Sequence, residues 1–141
     1  MLKKILFQFV LFFIGSIGYP CIELAYRAGN CHWVMTIIGG IALIIVIDVN
    51  LLLRNKNIFF RTFIAGIGIT LMEFVSGMII NKWLKMKVWD YSYLDYNLEG
   101  QICLEFSCYW MLICFCVIIV FEFIYWLYKK YIHNKKIVHT S

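Results

Sequence analysis

The stretch WVMTIIGGIALIIVIDVNLLL, from Trp33 to Leu53, decides the fold of this protein. It carries a single charged side chain, Asp48, and its length matches the roughly 20 residues that a helix needs to cross the hydrocarbon core of a bilayer. A helix in lipid pairs its own backbone groups, whereas an open strand leaves them unpaired. The stretch therefore predicts a transmembrane helix.

Three further apolar runs of similar length predict the rest of a bundle. The chain has 141 residues, of which 63% are hydrophobic and 15% charged, whereas a soluble domain carries about 25% charged residues. A single proline favours helices, and no linker, repeat or low-complexity tract divides the chain. We therefore expect an all-α integral membrane protein with one domain over 1–141, a compact bundle of four transmembrane helices. The expected spans are 5–26, 33–53, 59–83 and 102–128, followed by a basic cytoplasmic tail over 129–141.

The first run has an alternative interpretation as a signal peptide, because Lys3 and Lys4 precede it and a cut near Gly18 is conceivable. A lipoprotein signal is not completed, since Pro20 stands directly before Cys21 where a small residue is wanted. We expect the first helix to be retained.

The distribution of basic residues predicts the orientation. Nine lysines and arginines fall on the side of the two termini and four on the other side, which favours a bacterial cytoplasmic membrane protein with both termini inside. The nine are Lys3, Lys4, Arg54, Lys56, Arg61, Lys129, Lys130, Lys135 and Lys136, and the four are Arg27, Lys82, Lys85 and Lys87. The net charge of +5 then reflects topology and contact with anionic lipid, so no nucleic-acid partner is expected.

Ionisable residues inside the spans are informative, because a charge at mid-bilayer costs about 3 kcal/mol or more. Glu23 and Arg27 share a helix face at the i, i+4 spacing and can form a simple ion pair. Counted from Phe59 at 1.5 Å per residue, Glu73 lies about 21 Å along the third span, past the midplane. Either it is a structural acid held by Arg27, His32 or a neutral hydrogen bond between helices, or it has a direct functional role. The loop amides of Asn97 and Gln101 are further candidate partners. On the inner side Asp48, Asn50 and Glu122 are interpreted as orientation anchors within reach of Arg54, Arg61 or the basic tail.

The connection between the third and fourth spans, WDYSYLDYNLEGQ from Trp89 to Gln101, is unusually polar and aromatic. Its rings suit the headgroup region, so an outward interfacial loop is the simplest interpretation. However, Asn97 and Gln101 flank Gly100, which permits an unusual backbone path. Together with polar residues of the spans they predict an outward polar site. Its members are Glu23, Arg27, His32, Glu73, Asn81, Asn97, Gln101 and Glu105.

Four segments together resemble a family of small bacterial membrane proteins described as putative ABC-transporter type IV, the CmpB-like family. The segments are GYPCIELAYR, HWVMTIIGG, MEFVSGMIINKWL and WDYSYLDYNLEGQICLEFSCYW, within 18–110. The resemblance also implies a role for Trp89, Asp90, Tyr91 and Ser92, and it matches Tyr19, Trp33, Gly39, Gly40, Gly77 and Gly100. This chain has Leu94, Asp95 and Tyr96 where the family pattern has Leu-Pro-Phe.

The resemblance implies a transporter permease or a membrane-accessory component. The chain has no GxxxxGK[ST] phosphate loop, so ATP hydrolysis would need a separate ATPase subunit. Four helices would form a pathway only as a homo-oligomer or with a partner membrane subunit. A phage-type holin or lesion-forming lysis protein is the alternative function. We expect no enzyme, cofactor or metal, because the cysteines and histidines lack zinc-ligand spacing and no nucleophile pattern occurs.

Overall fold

Four long helices make up the structure, a computed structural model that describes residues 2–27 and 32–140, with 25–27 and 133–140 described by their backbone alone. The helices are α1 (Leu2–Arg27), α2 (Trp33–Leu52), α3 (Ile58–Gly77) and α4 (Leu104–Thr140). Within the described residues, these four helices are long and apolar enough to cross a membrane. The prediction of an all-α membrane protein with four spans is confirmed.

Side-chain caps define where α2 and α3 begin. The imidazole Nδ1 of His32 accepts a hydrogen bond from the backbone N–H of Val34 at 3.3 Å. The side-chain oxygen of Asn57 accepts one from the N–H of Phe60 at 2.8 Å. Each bond satisfies a backbone donor that the first helical turn leaves without an intrahelical partner. His32, expected to belong to the polar site, therefore serves as the N-cap of α2.

The loop between α3 and α4 departs from the expected helix ends. α3 continues as a π-helical turn over Met78–Trp83, and the fourth helix begins at Leu104 because the two preceding residues belong to a strand. Strand β1 (Asn97–Leu98) pairs antiparallel with β2 (Ile102–Cys103), so a small hairpin leads into α4. α4 then continues through the segment that was expected to be a separate tail. The hairpin and the π-turn together hold the loop close to the helix ends.

Close packing of α1 on α2 depends on two facing glycines. A Cβ added to Gly15 would collide with the carbonyl oxygen of Gly39. A Cβ added to Gly39 would lie 2.7 Å from the carbonyl oxygen of Gly15 and would collide with Tyr19. Because the obstructing atoms include backbone, the two helices can approach this closely only without side chains at these positions.

A core of buried residues joins α2, α3 and α4. It includes Ala65, Cys114 and Ile118, each with no exposed surface. α1 packs chiefly against α2, whereas α4 packs against α3. The flank between α1 and α4 is therefore open as an apolar groove, with a volume of about 190 Å³. We call it the lateral groove; it is lined by Ile14, Gly15, Gly18, Tyr19, Ile22, Gly39, Ala42, Leu43, Val46, Ile69, Trp110, Ile113, Cys114 and Val117.

The end of the bundle near the start of α1, which we call the terminal end, holds the polar residues that were expected to act as anchors. Glu122 accepts hydrogen bonds from Asn50 at 3.0 Å, from Arg54 at 2.8 Å and from Arg61 at 3.1 Å. Hydrogen bonding to Glu122 raises the pKa of the Arg54 guanidinium, so Arg54 stays charged. Asp48 accepts from the Gln8 amide at 2.8 Å. The expected pairing of these acids with arginines is therefore found for Glu122, whereas Asp48 takes an uncharged partner.

Candidate functional site

The loop after α3 folds back on the bundle. Trp89 and Tyr91 are each 4% exposed and Gln101 is 3% exposed. The indole N–H of Trp89 donates to the carbonyl oxygen of Gln101 at 3.0 Å, and the Asn81 amide donates to the Gln101 side-chain oxygen at 2.9 Å. Gly77 leaves the space for this contact, because a Cβ there would lie 2.6 Å from the same Gln101 oxygen. The loop is thus an integral part of the helix bundle.

Glu73 of α3 lies beneath this loop and is 4% exposed. One carboxylate oxygen accepts from the Tyr91 hydroxyl at 3.0 Å, and the other accepts from the Trp110 indole N–H at 2.9 Å. A buried acid in the bilayer requires such donors, since an unpaired polar group in an apolar environment is costly. Glu73 therefore connects three parts of the chain: α3, the loop and α4.

The partners expected for Glu73 from the loop were Asn97 and Gln101, and the structure assigns both to other contacts. The Asn97 amide donates to the carbonyl oxygen of Leu94 at 2.7 Å, and its oxygen accepts from the N–H of Gly100 at 3.0 Å. Asn97 thus closes the hairpin turn, and Gln101 bonds to Asn81. The side chain of Arg27, another expected partner, lies outside the described residues.

Trp110 was missed by sequence reasoning. Its ring stacks on that of Tyr19, with 5.5 Å between ring centroids, and so bridges the flank between α1 and α4. A signal was available, because a buried tryptophan N–H needs an acceptor and few acceptors occur within the spans. The facing position of Glu73 on another helix was not readable from the sequence.

An empty cavity of about 360 Å³ lies beside this network, between α1, α4 and the loop. We call it the lateral cavity; it is lined by Tyr19, Ile22, Glu23, Met35, Tyr91, Phe106, Tyr109, Trp110, Leu112 and Ile113. Five of these side chains are aromatic. Four of the lining residues also line the lateral groove, so the two spaces adjoin. The shared residues are Tyr19, Ile22, Trp110 and Ile113.

A second space, which we call the loop pocket, is formed by the π-helical turn and the loop. It has a volume of about 620 Å³ and is lined by Asn81, Lys82, Lys87, Trp89, Asp90, Ser92, Asn97, Glu99, Gly100 and Gln101. Two of its four charged side chains form an ion pair, with Lys82 Nζ 3.2 Å from a carboxylate oxygen of Glu99. The backbone N–H of Ser92 hydrogen-bonds to the Asp90 carboxylate and lowers the pKa of that carboxyl.

The structure thus distributes the predicted site residues over two places. Glu23 and Tyr91 line the lateral cavity and Glu73 accepts a hydrogen bond from Tyr91, whereas six others line the loop pocket. The six are Asn81, Trp89, Asp90, Ser92, Asn97 and Gln101. Glu105 is exposed and accepts from the Tyr109 hydroxyl at 3.2 Å. In the part of the chain that the structure describes, no cluster of three or more His, Cys, Asp or Glu is arranged to hold a metal.

A family model described as putative ABC-transporter type IV matches residues 9–140. The chain belongs to this family. The match confirms the resemblance found in the sequence and extends over most of α1 and over α2, α3 and α4. No solved protein structure matches the chain. Membership of the type IV family places the protein among transporter-related membrane proteins and not in an enzyme family.

Proposed function

We propose that this protein is a permease-type or accessory membrane component that binds an amphiphilic small molecule in the lateral cavity. The observation that carries the proposal is the buried Glu73, whose two donors, Tyr91 and Trp110, are themselves walls of that cavity. Ligand pockets commonly combine mainly apolar and aromatic walls with a few placed polar groups. A cavity on the flank of a bundle admits its ligand from the lipid.

The volume and position of the cavity support an amphiphile over a fully polar solute. A space of about 360 Å³ lies within the usual size range of ligand pockets, and the adjoining lateral groove has almost entirely apolar walls. A polar head at the level of Tyr91 and a chain along the groove would place each part of the ligand against matching surface. Transport by such a protein requires further subunits, and a separate ATPase subunit is the expected partner of a permease.

The described residues offer no specific support for the lysis alternative. A lesion needs a polar helix face that lines water, whereas Glu73 and Glu122 each accept hydrogen bonds from other parts of the bundle. We likewise propose no catalytic role. The function follows from binding and positioning within the membrane.

The orientation that goes with this proposal places both termini in the cytoplasm and the lateral cavity in the outer half of the bilayer. Single cysteines introduced at Asn55 and at Tyr93, in a background without native cysteines, test it in whole cells with a membrane-impermeant thiol reagent. Tyr93 is 76% exposed, so its replacement is accessible. We expect labelling at position 93 only, because nine basic residues favour the cytoplasm for the opposite side. Labelling at 55 only would invert the topology.

Binding in the lateral cavity is tested by filling it. Ile113 lines the cavity, and Ile113→Trp adds a large ring to this space. In nanodiscs of neutral lipid we expect saturable binding of single-chain amphiphiles to the wild type, weakened about tenfold or more by the added ring. Ile119→Trp is the matched control, since Ile119 lies on the same helix, is 44% exposed and does not line the cavity.

The result that would overturn the proposal is equally direct. The lateral cavity is not a binding site if the wild type shows no saturable binding of cationic, neutral or zwitterionic amphiphiles. The same conclusion follows if the Ile113→Trp and Ile119→Trp variants bind the amphiphiles with equal affinity.

A further inference from the structure

We infer that the loop pocket binds a phosphoethanolamine group, in which a short carbon link joins a phosphate to a primary ammonium, carried by a membrane lipid or by a free ester. The inference goes beyond the proposed function, because it concerns a different space from the lateral cavity. It depends on the charges that line the loop pocket, on the hydrogen bonds around them, and on the position of the pocket at the end of the third span.

The amide groups of the loop pocket are engaged within the protein. The Asn81 amide donates to the Gln101 side-chain oxygen at 2.9 Å, and its own oxygen accepts from the backbone N–H of Val88 at 2.7 Å. The Gln101 amide donates to the carbonyl oxygen of Glu99 at 3.0 Å, and both polar groups of Asn97 serve the hairpin turn. These amides shape the pocket and leave the recognition of a ligand chiefly to its charged side chains.

The loop pocket presents two charges of each sign, from Lys82, Lys87, Asp90 and Glu99. Lys82 and Glu99 form an ion pair at 3.2 Å between two exposed side chains, and pairs of this kind are weak enough to rearrange around a ligand. Within the part of the chain that the structure describes, the ammonium of Lys87 has no hydrogen bond or ion pair. A ligand of one sign would meet like charges in this pocket, so the lining favours a ligand that carries both signs.

The Asp90 carboxylate is held in place by the hairpin. One of its oxygens accepts from the backbone N–H of Ser92 at 2.9 Å. A Cβ added to Gly100 would lie 2.8 Å from the same oxygen, so the glycine leaves room for the carboxylate. Hydrogen bonding to Ser92, helped by the charges of nearby lysines, keeps the pKa of the Asp90 carboxyl below its usual value. An ionised acceptor is therefore already positioned before a ligand binds.

The lining distinguishes a primary ammonium from a trimethylammonium group. A primary ammonium donates up to three hydrogen bonds to carboxylates, whereas a trimethylammonium has no N–H and is recognised by the faces of several rings. Among the described residues that line the loop pocket, Trp89 alone is aromatic. It is 4% exposed, and its N–H is bound to the carbonyl oxygen of Gln101. The pocket thus offers carboxylates for a primary ammonium and no aromatic cage for a methylated one.

The position of the loop pocket matches the depth of lipid headgroups. Asn81 and Lys82 lie close to the end of the third span, which ends at Trp83. Exposed rings accompany the pocket, since Trp83 is 77%, Tyr93 76% and Tyr96 84% exposed, and amphipathic rings favour the headgroup region. Lysines bind phosphate as point charges, so a phosphate and an ammonium of one headgroup would each find a partner here.

The chemistry is tested on the full chain in a nonionic detergent, with bound lipids resolved by native mass spectrometry. The probes share the same acyl chains and differ in the head: phosphatidylethanolamine, its monomethyl and dimethyl forms, phosphatidylcholine and phosphatidylglycerol. We expect phosphatidylethanolamine to bind about tenfold tighter than phosphatidylcholine and phosphatidylglycerol. Affinity should fall stepwise as methyl groups replace the N–H donors.

Two variants with matched controls locate the recognition. Asp90→Asn keeps an acceptor for Ser92 and removes the charge, so it should reduce the preference for phosphatidylethanolamine over phosphatidylcholine to about twofold or less. Lys87→Gln removes a phosphate partner, so it should weaken both lipids about fivefold. Glu105→Gln and Lys85→Gln are the controls, because both residues are exposed and neither lines the pocket.

The source of the group is tested with glycerophosphoethanolamine, which carries the head without acyl chains. We expect it to displace the lipid only at about hundredfold higher concentration, because the chains of the lipid add apolar contacts. Displacement at equal concentration would support the same recognition and assign the ligand to a free ester in water.

Three results would overturn the inference. Equal affinity for phosphatidylethanolamine and phosphatidylcholine in the wild type removes the selection of a primary ammonium. Tighter binding of phosphatidylglycerol shows that the loop only attracts anions. Unchanged binding in both Asp90→Asn and Lys87→Gln places the lipid elsewhere on the protein.

The lateral cavity provides the check against the proposed function. Ile113→Trp fills that cavity and lies outside the loop pocket, so it should leave the binding of phosphatidylethanolamine unchanged. A loss of this binding in Ile113→Trp would assign the lipid to the lateral cavity and overturn the inference while supporting the proposed function.

Discussion

Glu73→Ala is expected to lower the free energy of unfolding by about 3 kcal/mol. The substitution leaves the Tyr91 hydroxyl and the Trp110 indole N–H without their acceptor. Each buried donor left unpaired costs about 1–3 kcal/mol, and the removed side chain also leaves a void. The loss is measured by SDS titration in mixed micelles, with the fraction folded followed by circular dichroism.

Glu73→Gln is the matched variant, because it keeps the shape and one acceptor oxygen. The glutamine oxygen can accept from one of the two groups that donate to Glu73, whereas its NH₂ faces the other and cannot accept from it. We therefore expect a smaller loss of about 1–2 kcal/mol. Tyr91→Phe in the Glu73→Ala background then gives little additional loss, since its partner is already gone. A Glu73→Ala protein as stable as the wild type, or full additivity of the two substitutions, would show that Glu73 does not join the loop to the bundle.

The second large effect is expected for Glu122→Leu at the terminal end, with a loss of about 2 kcal/mol. Glu122 is the common acceptor of Arg54, Arg61 and Asn50, and Asn50 has no exposed surface. Removing one partner of a buried pair leaves uncompensated charge at a cost of about 3–5 kcal/mol. The expected loss is smaller here because the Arg54 side chain is 34% exposed and can turn to water.

Asp48→Leu is the control for Glu122→Leu. Asp48 is an acid at the same end of the bundle, but its partner is the uncharged Gln8 amide in an exposed contact. We expect a loss below about 1 kcal/mol in the same SDS titration. Losses of equal size for the two variants would contradict the view that the shared arginine contacts make Glu122 important.

Much of the fold was readable from the sequence because the relevant properties are local. The run from Trp33 to Leu53 identifies its span by length and hydropathy, and the same holds for the other three helices. The family could also be recognised from quoted segments, since the matched model covers residues 9–140. The orientation of the termini, derived from the basic residues, stays a prediction.

The sequence predicted several residues of the candidate site but not the contacts between them. Glu73 was recognised as a buried acid, and its burial beneath the loop agrees with that expectation. However, the partners predicted from the sequence were Arg27, His32 and the loop amides of Asn97 and Gln101, whereas the structure shows hydrogen bonds from Tyr91 and Trp110. The reason is that Asn97 satisfies local hairpin groups and Gln101 is paired with Asn81. Local hydrogen bonds of this kind compete with long-range ones and cannot be ranked from spacing.

The sequence by itself determined that this chain forms membrane-spanning helices, because crossing a bilayer is decided by the hydrophobicity of each segment. Only the tertiary structure decided which faces meet. The glycine contact of Gly15 with Gly39 holds α1 against α2, and α4 packs elsewhere, so a cavity remains on the α1–α4 flank. Helix rotation and the return of the loop depend on many packing contacts at once, and lipid tails supply no hydrophobic preference among helix faces. The aromatic cavity beside Glu73 is a product of that packing.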